Sequence, residues 1–145
     1  FTLPYQTHQT KQEKDKKEKA QPALNWEGRT LLIVEDDPTS LEYLKEIIQP
    51  TGAEIILKET GWQGLKAVRE DVSIDLILMD IRLPDISGIE ITQKIRKENE
   101  NVPIIAQTAY AMGEDRDKCL EAGCNNYISK PIEVNEFISL IDRYI

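Results

Sequence analysis

The sequence predicts an α/β domain: an open, doubly wound sheet of five parallel strands, built from five βα units. Three observations carry this. Short β-branched and aliphatic runs recur five times between residues 30 and 129, alternating with segments whose apolar residues fall at helical spacing. The central runs are continuously apolar rather than alternating, as in strands covered on both faces. Five units over about 118 residues are too few for an eight-stranded barrel, so right-handed crossovers must lay helices on both faces of an open sheet.

Thr30-Leu-Leu-Ile-Val34 is the first strand. Pro38 suits the first turn of the following helix, where a missing N–H costs nothing. Leu41, Leu44, Ile47 and Ile48 share one face of that helix, and Gly52 ends it. Residues 54–57 form a second strand, and Trp62, Leu65 and Val68 mark a second helix. Asp75-Leu-Ile-Leu-Met79 is the third strand, its apolar run stopping at Asp80. Ile89, Ile91 and Ile95 mark a third helix, residues 102–106 a fourth strand, and residues 112–122 a weakly amphipathic fourth helix closed by Gly123. Residues 126–129 are a short fifth strand, and Val134, Phe137, Ile138 and Ile141 line a fifth helix.

The organisation is uneven. Residues 1–27 carry five Lys and four acids, whereas residues 28–145 carry 13 basic and 22 acidic residues, a net −9. So acidic a body repels phosphate backbones, which argues against nucleic-acid binding. Residues 6–25 have almost no large apolar side chains and contain a Lys/Glu-rich run, so they read as a flexible linker. Before them, Phe1-Thr-Leu-Pro-Tyr5 reads as the last strand of a preceding unit. The longest apolar runs are four residues, far short of a membrane span. With no secretory stretch and no CxxC pair, the two cysteines, Cys119 and Cys124, are expected to stay reduced in a cytoplasmic setting. They also argue, with a single histidine, against a structural zinc site.

In an open α/β sheet the functional crevice lies at the carboxyl ends of the strands. Strand one ends in Glu35-Asp36-Asp37, strand three in Asp80, strand four in Gln107-Thr108 and strand five in Ser129-Lys130-Pro131. Singly, each has an ordinary use: Asp36 or Asp37 as a helix N-cap, Thr108 as another, Lys130 as a solvated charge. Together they place several carboxylates, a hydroxyl and an ammonium on one edge. Crowded carboxylates favour a cation among them, and hard oxygen ligands suit Mg2+ or Mn2+. Lys130 offers positive charge to an anion such as a phosphoryl group. Gly-rich phosphate loops and a Ser/His/Asp set are absent.

These motifs resemble the receiver domain of two-component response regulators. The matching text is Leu31-Leu-Ile-Val-Glu-Asp-Asp-Pro38, the stretch from Asp75 through Asp80 to Gly88, Pro103-Ile-Ile-Ala-Gln-Thr-Ala109, and Tyr127-Ile-Ser-Lys-Pro131. The resemblance implies a flavodoxin-like sheet of order 2-1-3-4-5. It implies that Asp80 accepts a phosphoryl group from a phosphohistidine of a histidine kinase or histidine phosphotransfer protein, with self-catalysed transfer and dephosphorylation. Glu35 and Asp36 hold Mg2+ with Asp80 and the backbone carbonyl of Arg82, Asp37 being the weaker candidate. Thr108 and Lys130 engage the phosphoryl oxygens. Thr108 and Tyr127 form the switch, remodelling the face of helix four, strand five and helix five, which is also a candidate dimer face. The Lys130–Pro131 bond is expected to be cis, aiming Lys130 back across the crevice. Position 35 is Glu where the family commonly has Asp, and Arg82 and Tyr110 are long side chains placed to shield an acyl phosphate from water.

Upstream, Phe1-Thr-Leu-Pro-Tyr5 resembles the closing strand of a histidine-kinase ATP-binding domain. Residues 1–27 are then the end of that domain plus a charged linker, residues 28–145 the receiver, and the parent a hybrid sensor histidine kinase, itself free to be membrane-anchored. With no effector domain after Ile145, a relay role is expected. Two competing classes fit less well. A haloacid-dehalogenase-like Mg2+-dependent phosphatase needs DxD at its nucleophile, whereas Asp80 is followed two residues later by Arg82. A receiver-like binding module that is never phosphorylated would lack Asp80, Lys130 or the acids, all of which are present.

Overall fold

A computed structural model describes residues 24–71, 73–109 and 113–145. Five parallel strands pair in the order β2-β1-β3-β4-β5. The elements are β1 (Thr30–Val34), α1 (Pro38–Ile48), β2 (Glu54–Lys58), α2 (Gly61–Glu70), β3 (Leu76–Asp80), α3 (Gly88–Glu98), β4 (Ile104–Thr108), α4 (Glu114–Ala122), β5 (Asn126–Ser129) and α5 (Val134–Asp142). The predicted fold class and strand order are those observed. Phe1–Tyr5, most of the linker, Tyr110 and the first residue of the expected fourth helix lie outside the described residues.

The continuous apolar runs explain which strands are central. Every residue of β1, β3 and β4 is buried, whereas β2, at one edge, is half-buried. On one face, Leu32, Val34, Ile77, Met79, Ile104 and Ala106 pack under α2, α3 and α4. On the other, Leu31, Ile33, Leu76, Leu78 and Ile105 pack under α1 and α5. All four apolar residues that marked α1 are buried, and Pro38 starts the helix. Past Ile48 the chain tightens into a 3-10 turn, Gln49–Thr51, and Gly52 closes it at φ +84, a left-handed conformation that glycine adopts without strain.

Some expectations shift. Trp62 is not part of the buried stripe of α2. It is 50% exposed, its ring facing Lys94 Nζ 5.4 Å away, while Gly61, Gly64, Leu65, Ala67 and Val68 face the core. On α5, Leu140 is buried alongside Phe137 and Ile141, and Val134 and Ile138 are only partly covered. β4 begins at Ile104 because the Asn99 side chain takes the Val102 N–H (3.0 Å). Trp26 is 2% exposed, packs with α1 and α5, and donates from its indole to Asp142 (2.9 Å). The packed body therefore reaches back to a tryptophan ahead of residue 28. Both cysteines are free and buried, and burial is the main cause that pushes the Cys119 thiol up to about 12.

The loop between β3 and α3 is tied sideways. Asp85 accepts from the Gly61 N–H (2.9 Å) and the Trp62 N–H (3.0 Å), two donors that α2 leaves without intrahelical partners. Loss of some hydration pushes this carboxyl up, but the surrounding N–H donors outweigh it and hold it below the usual aspartate range. A depressed carboxyl stabilises the fold above its ordinary pKa and loses that contribution as pH falls through the depressed value. Asp85→Ala is therefore expected to cost about 1 kcal/mol near neutral pH, the worth of a helix N-cap. The deficit should shrink in acid. Denaturant midpoints at pH 7 and pH 3 check this, and equal midpoints at pH 7 would contradict it.

Candidate active site

The sheet register assembles the site. Asp80 pairs with Gln107 across β3 and β4, and Val34 with Met79 across β1 and β3. Glu35 N–H donates to the Lys58 carbonyl (2.9 Å), continuing β1 by one residue. Alternation then sets Glu35, Asp80 and Gln107 in one row on the α1/α5 face. Lys130 N–H donates to the Thr108 carbonyl (2.8 Å), which holds the chain leaving β5 beside the end of β4. The Lys130–Pro131 bond is cis, as expected.

One cleft, of about 380 Å3, is lined by Glu35, Asp36, Asp80, Arg82, Thr108 and Lys130 among others. Glu35 is fully buried, Asp80 is 5% exposed and Asp36 faces solvent. Carboxylate oxygens of these three residues all lie within 4.8 Å of one another. Lys130 Nζ donates to Glu35 Oε1 (3.0 Å) and Asp80 Oδ2 (3.1 Å), and the Arg82 N–H donates to Asp80 Oδ1 (3.2 Å). Burial, with Asp80 adding to it, pushes the Glu35 carboxyl up to about 7 against the pull of Lys130. The Lys130 ammonium, though burial opposes its charge, is held above its ordinary value by Glu35 and Asp80. Glu35 Oε2 is buried with no hydrogen-bond partner. Lys130 thus pairs with two of the three clustered carboxylates, and the three together are a hard-oxygen set that fits a small divalent cation.

The remaining residues sort cleanly. Asp37 is the N-cap of α1, accepting from Ser40 N–H (2.9 Å) and Ser40 Oγ (2.8 Å), so capping explains it. Among the described residues the helix after Thr108, α4, starts at Glu114 with Gly113 as its N-cap residue. Thr108 is 3% exposed, at the end of β4. Tyr127 is half-buried against the α2/α3/α4 core, its ring 5.5 Å from the Arg116 guanidinium of α4.

Three residues the sequence reading gave no role contribute to the site. Gly88, the first residue of α3, sits against the Asp80 backbone so closely that a Cβ there would be 2.1 Å from the Asp80 carbonyl oxygen. Asp85 anchors the loop that follows Asp80. Gln107 buries a carboxamide beside Asp80. The glycine eight residues past Asp80 was the available signal for the first; the other two have none in local pattern.

The response regulator receiver domain family matches residues 31–142. The polar-differentiation response regulator DivK of Brucella ovis is 40% identical over 119 residues, covering 81% of this chain and 96% of that protein. Among solved structures, the receiver domain of a sensor histidine kinase from Pseudomonas aeruginosa, with a magnesium ion coordinated in its active site cleft, is similar with a TM-score of 0.75 and 35% identity, covering 81% of this chain and 97% of that one. A CheY-like receiver domain protein from Methanospirillum hungatei is similar with a TM-score of 0.74 and 32% identity, over 79% and 91% of the two chains.

Proposed function

Because the chain belongs to the response regulator receiver domain family of two-component signalling, we propose that Asp80 is its phosphoacceptor. The phosphoryl group would come from the phosphohistidine of a histidine kinase or histidine phosphotransfer protein. The observation that carries this is the state of the Asp80 carboxylate. It stands at the end of a central strand, nearly buried, with one oxygen held by a backbone N–H and the other by the Lys130 ammonium.

An oxygen of Asp80 attacks phosphorus as the phosphorus–nitrogen bond to the donor imidazole breaks, the electron pair leaving with the nitrogen. The product is an acyl phosphate on Asp80. The backbone N–H of Arg82 orients the attacking carboxylate. Lys130 turns from Glu35 and Asp80 to the incoming oxygens, and the Thr108 hydroxyl hydrogen-bonds another. Glu35, Asp36 and Asp80, with the Arg82 carbonyl, would hold Mg2+ or Mn2+, which when bound supplies positive charge to the phosphoryl oxygens.

The positions of Thr108 and Tyr127 support a switch. Drawing Thr108 toward the acyl phosphate opens space at the end of β4 into which Tyr127 turns, leaving Arg116 and remodelling the α4–β5–α5 face, a candidate dimer surface. The domain arrangement belongs to the same reading: residues 1–27 as the end of a kinase ATP-binding domain and a charged linker, residues 28–145 as the receiver of a hybrid sensor histidine kinase in the cytoplasm. The pentapeptide at the start and the lysine-rich run support it. Among the described residues no helix is long and apolar enough to cross a membrane.

Asp36 is exposed, so Asp36→Ala should fold normally. It is expected to abolish Mg2+-dependent labelling by acetyl phosphate, followed by intact mass. Unchanged labelling would contradict this ligand set.

A further inference from the structure

Gln107 is 0% exposed, and neither its Nε2 nor its Oε1 has a hydrogen-bond partner. The strand residue two before it, Ile105, points into the apolar core on the same face. A carboxamide buried there gives up its hydration and recovers nothing in the resting protein. Such a group is accounted for when a second state of the molecule pairs it.

Its neighbours identify that state. Gln107 is the register partner of Asp80, and its carbonyl accepts from the Ile81 N–H (3.1 Å), which pins the two backbones together. Glu35, in the same row, holds the other buried oxygen without a donor. Gln107 borders both the acidic cleft and a second cavity, of about 340 Å3, between Ser40 and Tyr43 of α1 and Lys130-Pro131. Gln107 thus lies between the two spaces, at the wall they share. At rest, Lys130 serves Glu35 Oε1 and Asp80 Oδ2. Phosphorylation brings new acceptor oxygens that compete for that ammonium. The carboxylate row then loses its lysine donor, and the amide one strand away can replace it at the oxygens that a bound cation leaves free.

We propose that Gln107 is a positioning residue for the phosphorylated state: its Nε2 donates to the oxygens of the Asp80–Glu35 row that Lys130 releases, so that it favours the phosphorylated form over the resting one. This rests on Asp80 being the phosphoacceptor. Only an interaction made unequally in the two states can shift their balance, and a carboxamide unpaired in one and paired in the other is such an interaction.

Gln107→Leu and Gln107→Met, two variants of similar volume, test it. Each is compared with wild type in two measurements: the thermal midpoint of the unmodified protein, and the affinity for beryllofluoride with Mg2+, a mimic of the aspartyl phosphate. The expected result is a midpoint unchanged or raised, because an unpaired amide is gone. Beryllofluoride affinity should fall about fivefold, the worth of one net hydrogen bond. Unchanged affinity in both variants overturns the proposal. So does a lowered midpoint in both, which would show the carboxamide paired at rest. Wild type labelled with acetyl phosphate and mapped by peptide mass separates the two readings. A phosphoryl group elsewhere than Asp80 overturns both, whereas one on Asp80 with unaffected variants removes only the role of Gln107.

Discussion

Lys130→Met is expected to reduce phosphoryl labelling by on the order of 100-fold, the usual effect of deleting one charged or hydrogen-bonding group that stabilises a transition state. It should also make the metal-free fold sensitive to pH. Lys130 is the cation that joins Glu35 to Asp80, at 3.0 and 3.1 Å. With it present, burial and Asp80 still push the Glu35 carboxyl up to about 7. A raised carboxyl contributes stability below its ordinary pKa and loses it as pH rises through the folded value. Removing the lysine takes away the one influence pulling Glu35 down, so the buried carboxylate becomes costlier to ionise. The variant's deficit relative to wild type should therefore be small near pH 5 and larger near pH 8, and added Mg2+ should narrow it. Denaturant midpoints at both pH values, with and without Mg2+, check this. A deficit independent of pH, or labelling close to wild type, would contradict the role given to Lys130.

Gly88→Ala should be the most destabilising single methyl in the domain's functional half, at about 3 kcal/mol. The position is not special for its backbone dihedrals. Its N–H donates to the Ile81 carbonyl (2.8 Å), closing the loop between β3 and α3 on itself. A Cβ there would meet the Asp80 carbonyl oxygen at 2.1 Å, and the Asp80 carbonyl carbon and Ile81 Cα at 2.9 Å each. All three atoms are backbone, so no side chain can swing aside. Either α3 moves off the sheet, exposing Ile91 and Ile95, or the end of β3 is displaced and carries Asp80 with it. A fall in thermal midpoint of roughly 10 °C, with labelling lost in the fraction that remains folded, is expected. A midpoint equal to that of wild type would show that the loop accommodates the methyl and that Gly88 does not hold Asp80 in place.

Much of this molecule is legible in its sequence because two periodicities dominate it. The uninterrupted runs at Leu31, Leu76 and Ile104 can only be buried on both faces, and the i, i+3, i+4 spacing of Leu41, Leu44, Ile47 and Ile48 has one helical solution. Once strands and helices alternate, the crossover rule brings Glu35, Asp36, Asp80, Thr108 and Lys130 to one edge without further information. What escaped depends on contacts between segments distant in sequence. Trp62 fits the stripe of α2 by spacing, yet it stands at the first turn, beyond the reach of the core, where Lys94 covers its ring. Asp85 looks like any loop aspartate until α2 presents two free N–H groups to it. Gln107 reads as the polar end of a strand, and only the register beside Asp80 shows that it is sealed in.

The identity of the phosphoacceptor is tested most directly by intact mass after incubation with acetyl phosphate and Mg2+. Wild type is expected to gain one phosphoryl group, dependent on Mg2+ and mapped to Asp80. Asp80→Asn, which keeps the shape but removes the nucleophilic oxygen, should gain none. A phosphoryl group on the Asp80→Asn protein, or a wild-type protein that takes up none under conditions where it is folded, would contradict the assignment.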